Sequence, residues 1–347
     1  MRRNWLLAAA ALAMSVSTSG CAVVLLGNAS PVLQTRYGFE MSQADQYLTD
    51  SAAFVRSLDP CGFLTEDDLS ALGTVVQLRP DGELSTCTAE LARTTASGRS
   101  TSTDSVTVDL DSYEPSSEDS EIEQITIGGQ QVYRDNRTSS SCRITFPLRT
   151  EFAGTDSEMM DGFRTEHGRS FATIDVNRMD EDSCTSAERV TETALGLLDD
   201  PPLRADSKYN LPLAATDPCG VLDHLPATWT VDRWDPDSDP YNCVFTASSE
   251  TLDESFIMLI ISLVYADTDR NSTDTVAVRQ GGYTVYTRES GSSCAADVTV
   301  GNPVLGMPDP DGVSAAYART TPSLSVTADD CDSAVDLAVA AADVLTG

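Results

Sequence analysis

Lysine is almost missing from this chain of 347 residues: Lys208 stands alone among 22 Lys plus Arg. Histidine occurs twice, at His167 and His224. Basic residues are outnumbered by 54 Asp plus Glu, which sets the net charge at -32. A surface this acidic excludes nucleic acid as a partner and excludes electrostatic docking on anionic lipid, because both need a basic face. Two histidines leave little for multi-histidine metal centres or repeated histidine-dependent proton transfer. There is no G-x-S-x-G segment for a nucleophile elbow, and no G-x-x-x-x-G-K or G-x-G-x-x-G segment for a phosphate loop. No run reaches the ~18 consecutive apolar residues of a membrane-spanning helix. The longest candidate, Phe256 to Tyr265, reads as a buried strand. What is present is a hydrophobic fraction of 41%, enough for real cores, and nine cysteines.

The N-terminus reads as an address. Arg2 and Arg3 precede the apolar stretch Trp5 to Met14, which is too short to cross a bilayer. Ser17-Thr18-Ser19-Gly20-Cys21 follows and resembles a bacterial lipobox, with Thr18 where leucine is usual. That resemblance implies lipidation of Cys21 and attachment to the extracytoplasmic face of the cell membrane. A diacyl anchor holds stably where a single chain binds only marginally. Residues 1–21 are therefore expected to be a signal peptide and 22–41 a tether.

The other eight cysteines fall into two sets. Cys61, Cys87, Cys142 and Cys184 recur as Cys219, Cys243, Cys294 and Cys331, with offsets that shrink smoothly from 158 to 147 (219 − 61 and 331 − 184). Asp59-Pro60-Cys61-Gly62 recurs as Asp217-Pro218-Cys219-Gly220. Gly128-Gly129 and Val132-Tyr133 recur as Gly281-Gly282 and Val285-Tyr286. The chain is a tandem duplication. Four cysteines per copy in an exported protein imply two disulfides per copy. Zinc is disfavoured by the wide spacing and the lack of any C-x2-C pair. Four cysteines allow three pairings, which sequence does not choose among. A nested set is the expectation: Cys61 with Cys184, Cys87 with Cys142, and correspondingly Cys219 with Cys331, Cys243 with Cys294. The outer two sit beside helix starts and the inner two sit in strand-like segments.

A period of two marks seven strands in each copy, separated by polar, Gly- and Ser-rich turns. Helical periodicity marks 42–58, a short helix capped by Thr65 and ended by Gly73, and closing helices at 183–198 and 332–345. Pro226 erodes the second copy's first helix. The expected fold is α+β: two tandem disulfide-bonded domains, 42–200 and 201–347, each an antiparallel sheet with N- and C-terminal helices. Asp199-Asp200-Pro201-Pro202 marks a stiff junction. The Asp-Pro-Cys-Gly-Phe-Leu-Thr opening, the Gly-Gly turn, the Ser-Cys strand and the Asp-x-Cys-x-x-Ala helix behind a lipobox resemble the actinobacterial lipoproteins of domain of unknown function 3558. The likeness covers the mature chain twice, although the second copy lacks the Leu-Thr. It implies architecture and location, and it carries no catalytic residues.

The residues offer little chemistry. His167 sits in a polar loop, His224 in the eroded helix, and no histidine recurs at matching positions. Carboxylates are too numerous for any spacing to stand out as a glycosidase pair. Asp235-x-Asp237-x-Asp239 and Asp267-x-Asp269-x-Asn271 have the first calcium-loop spacings but lack the glycine and the closing glutamate. Trp229 and Trp234 read as core packing or as the lining of a ligand groove. The Gly-Gly pairs read as tight turns. The expectation is a non-catalytic envelope lipoprotein that binds a small ligand or an envelope protein. No cofactor, metal or nucleic acid is expected. A spacer lipoprotein and a carboxylate-dependent envelope hydrolase are the alternatives.

Overall fold

The computed structural model describes residues 24–25, 28–29, 34–94, 100–112, 115, 122–138, 140–148, 171–178, 183–209, 211–236, 239–249, 255–265, 275–302, 304–305 and 319–346. Cys21, the signal segment, His167 and the Asp267–Asn271 loop lie outside the described residues. So do Asp237 and Ser238.

Helix α1, Gln43–Ser57, starts at a capping box: Ser42 and Asp45 each accept the other's backbone N–H. A 3-10 turn at Pro60–Phe63 is capped by Asp59 and leads into α2, Glu66–Leu72, which Thr65 caps and Gly73 ends. Seven strands follow: β1 Thr74–Asp81, β2 Glu83–Thr94, β3 Ser100–Ser112, β4 Ile122–Ile127, β5 Gln130–Thr138, β6 Ser141–Pro147 and β7 Phe171–Asn177. Helix α3, Ser183–Leu197, lies against β6 and β7. Strand order across this antiparallel sheet is β1-β2-β3-β7-β6-β5-β4.

The second half opens on 3-10 turns at Arg204–Asp206, Pro212–Ala215 and Pro218–His224 where the first half has α1 and α2. Then come β8 Trp229–Asp235, β9 Asn242–Ser249, β10 Ser255–Tyr265, β11 Val276–Gln280, β12 Tyr283–Ser290, β13 Ser293–Thr299 and β14 Arg319–Ala328. Helix α4, Cys331–Thr346, packs on β12, β13 and β14. The order is β8-β9-β10-β14-β13-β12-β11, the same path as the first sheet, with Val304–Leu305 added beside β14. The duplication legible in the cysteines is thus repeated in sheet topology.

Alternate residues of the central strands point inward. Cys87, Ala89 and Leu91, Val106 and Val108, and Ile144 and Phe146 are buried in the first half; Phe245, Ile257, Leu259 and Val326 are buried in the second. β10 is buried on one face alone. Ile257, Leu259 and Ile261 face the core, whereas Phe256 is 54% exposed, so the apolar run does not make a strand covered on both sides.

Each Gly-Gly pair has positive φ at both residues, 58° and 83° in Gly128-Gly129 and 59° and 88° in Gly281-Gly282. They form the two-residue hairpin turns between β4 and β5 and between β11 and β12, whose backbone favours glycine.

The disulfides correct the nested expectation. They join neighbours in sequence: Cys61–Cys87, Cys142–Cys184, Cys219–Cys243 and Cys294–Cys331, with Cα separations of 5.0 to 5.1 Å. The reason is where each helical piece packs. The Pro60–Phe63 turn lies on β1, β2 and β3, and α3 lies on the β6–β7 side, so each is tied to the strand beneath it. The two helix-proximal cysteines of a copy therefore sit over opposite halves of the sheet. Each bridge closes a loop of 24 to 42 residues, which in the chain-entropy picture contributes about 3 to 4 kcal/mol.

The halves are laced together. Asp59 donates its backbone N–H to Pro202, and Leu58 bridges to Leu203. Arg204, buried, donates to the carbonyls of Arg56 and Leu84 and to the Tyr241 hydroxyl. The Leu263 N–H bonds the Gly82 carbonyl, and Arg56 Nη1 bonds the Pro240 carbonyl at 2.8 Å. Structure also begins inside the segment read as a tether to residue 41. Thr35–Arg36 pairs with Phe39–Glu40 in a tight hairpin, and Met41 is buried.

Candidate functional site

A cleft of about 540 Å³ sits beside the Asp-Pro-Cys-Gly turn of the first half. Its apolar wall comes from Cys61, Leu64 and Leu69 around the turn and α2, and from Val75 and Leu78 on β1. Exposed Glu66, Asp206 and Lys208 stand at its rim. Lys208, the one lysine of the chain, rests its ammonium 5.3 Å from the Tyr209 ring centre. The Tyr209 hydroxyl donates to the Leu78 carbonyl beneath the cleft. Burial, aided by the Asp59 charge, pushes the Tyr209 phenol up to about 12.

Asp59 lines the cleft and is 7% exposed. Its Oδ1 accepts the Cys61 N–H at 3.1 Å; among the described residues its other oxygen has no hydrogen-bond partner. Gly62 makes the turn compatible with the linker. A Cβ there would lie 2.4 Å from the Pro202 Cβ.

The corresponding place in the second half is nearly filled, leaving about 20 Å³ beside Asp217, Cys219 and Trp234. Asp217 repeats the cap, its Oδ1 accepting the Cys219 N–H at 3.1 Å. Its Oδ2 is occupied: Tyr37 donates to it at 2.6 Å, Arg36 pairs with it, and Arg56 stands 3.6 Å away. The Tyr37 ring meets Trp234 edge-on, with centres 5.1 Å apart, and Phe39 packs on the same indole at 6.4 Å. Trp234 donates its indole N–H to the Cys219 sulfur at 3.3 Å. Burial, then the hydrogen bond and charge of Asp217, hold the Tyr37 phenol well above the usual tyrosine range. Burial lowers the Arg56 guanidinium, with Asp217 opposing.

Of the residues singled out in the sequence, Trp234 is buried in this packed spot and Trp229 is half-buried on β8. His224 is exposed at the end of its 3-10 turn. Asp235 pairs with Arg233, and Asp239 caps the Tyr241 N–H and lines the small space beside Asp217. Among the described residues no three His, Cys, Asp or Glu side chains gather as a metal site. No helix among them is long and apolar enough to cross a membrane. All eight repeat cysteines are bonded in pairs.

Sequence reasoning missed the cleft itself. Its signal was the solitary Lys208, nine residues after the Asp-Asp-Pro-Pro junction begins. It also missed the docked hairpin, whose signal was Tyr37-Gly38 between Arg36 and Phe39, a tight-turn pair inside an assumed tether. Scans against protein-family models and searches of curated proteins and of solved structures find no match to this chain.

Proposed function

We propose that this protein is a non-catalytic binding module, lipid-anchored through Cys21 on the extracytoplasmic face of the cell membrane. In this reading it is two tandem copies of one α+β domain with helices at both ends, of the lipoprotein family it resembles. The observation that carries the binding reading is the cleft of about 540 Å³ with an apolar wall and a charged rim. A mostly apolar concavity with a few convergent polar groups is the common form of a ligand site. Four disulfides support an oxidising compartment. The spacer alternative draws support from the laced seam, which holds the halves in one arrangement.

Two measurements test the reading. Labelled palmitate fed to cells should enter the wild-type protein and not a Cys21→Ser variant. A thermal-shift panel of amphipathic small molecules and peptides should raise the melting temperature with at least one compound. Val75→Glu, which puts a charge on the half-buried edge of the cleft wall, should abolish that shift. A flat panel removes the binding reading and favours the spacer.

A further inference from the structure

The cleft at Asp59 and the packed spot at Asp217 are the same place in the two copies. Asp59 and Asp217 cap equivalent turns. Cys61 and Cys219 bond equivalent strands. Leu78 lies opposite Ala89, two residues after Cys87, and Trp234 lies opposite Phe245, two residues after Cys243. All three pairs line their respective spaces. The second copy fills its space from within the chain. The hairpin turn brings a guanidinium and a phenol onto one carboxylate oxygen and lays the phenol ring against the position that Leu78 holds in the first copy.

From this internal precedent we infer that the open cleft of the first copy receives a tight turn of a partner protein carrying an arginine next to a tyrosine. Asp59 is more than nine-tenths buried, lines the cleft and keeps one oxygen without a hydrogen-bond partner among the described residues. That is the oxygen position which Asp217 uses for Arg36 and Tyr37. The rim sets Glu66 and Asp206 against the lone Lys208, so a cationic segment is the complementary one. Leu69 and Leu78 offer apolar contact for the ring. The net charge of -32 raises the local concentration of such a segment near the surface.

This inference rests on the binding-module reading and narrows it to one ligand chemistry. The probe is a synthetic peptide with the sequence of residues 34–40, Gln-Thr-Arg-Tyr-Gly-Phe-Glu, titrated into the full chain by calorimetry and followed by amide chemical shifts. Saturable one-to-one binding is expected, with shifts at Leu64 and Leu69. The same peptide with Arg36→Glu should bind at least about tenfold more weakly, as one lost charge-assisted contact implies. In the protein, Glu66→Lys should weaken binding severalfold without touching the Asp59 cap. Equal binding of the Arg36→Glu peptide overturns the inference. So do shifts at Trp234 instead of the cleft, which would mean that the peptide displaces the protein's own hairpin. Absence of peptide binding while another compound shifts Leu64 and Leu69 also overturns it, and leaves the binding-module reading standing.

Discussion

The two halves share a sheet path, a disulfide pattern and a capped Asp-Pro-Cys turn, yet they treat the space beside that turn oppositely. In the first half Leu78 leaves an open cleft. In the second half Trp234 takes the equivalent position and the N-terminal hairpin closes over it. Even the shared glycine differs. A Cβ on Gly62 would run into Pro202, while a Cβ on Gly220 would meet nothing within 4 Å. The sheet path is held by buried residues on many strands, so no single substitution can move it. The turn lies at the margin, where one side chain and one docked segment decide whether a pocket exists.

The contrast can be broken or sharpened by experiment. Trp234→Ala removes a buried indole and the partner of Tyr37 and Phe39, and should cost about 4 kcal/mol in urea unfolding. Leu78→Ala should cost about 2 to 3 kcal/mol, because its site already borders open space. A larger loss at Leu78 would break the contrast. The bridges stand between those two values. Removing Cys61–Cys87 or Cys219–Cys243 as serine pairs should each lower stability by about 3.5 kcal/mol. Non-reducing peptide mapping should find those two linkages, and a Cys61–Cys184 peptide would contradict the matched pattern. Gly62→Ala should cost about 1 to 3 kcal/mol through the clash with Pro202, and Gly220→Ala should stay within about 0.5 kcal/mol.

The smallest effect is at alkaline pH. Burial, against the nearby Arg204 and Arg56, raises the Tyr241 phenol to about 12, and burial raises that of Tyr209 to about 12 as well, so folding favours the protonated form of both. Their contribution is complete below the ordinary tyrosine value near 10 and fades as pH rises through about 12. Base titration of the melting temperature should show that decline, and Tyr241→Phe should flatten it. Because Tyr241 sits at the seam with Arg204, the decline should loosen the halves from each other before either sheet melts.

Much of this architecture was legible in the sequence. Alternation placed the strands, and Thr65 with Asp68 and Gly73 marked the short helix, because these signals are local and set by side-chain period and caps. The cysteine offsets revealed the duplication for the same reason: spacing survives copying. The pairing of the cysteines was hidden, since it depends on which half of the sheet each helical piece covers. The exposed face of β10 was hidden too. A continuous run such as Phe256 to Tyr265 reads alike whether one face or both are covered, and only what packs on the strand, here the Pro218–His224 turn on one side, decides. The cleft escaped because it is a residue's absence, leucine where the other copy has tryptophan, and that gap has meaning only once the two registers are aligned.

The hairpin at 35–40 has a mechanical consequence. It belongs by sequence to the start of the first half, but it grips Asp217 and Trp234 of the second, while residues 202–209 of the linker grip the first. The chain crosses itself like the two ends of a knotted cord. Tension applied upstream of Gln34 is therefore borne first by the Arg36–Asp217 and Tyr37–Asp217 contacts and passed to the C-terminal half. Pulling from that end therefore loads contacts of the C-terminal half as well as those of the first.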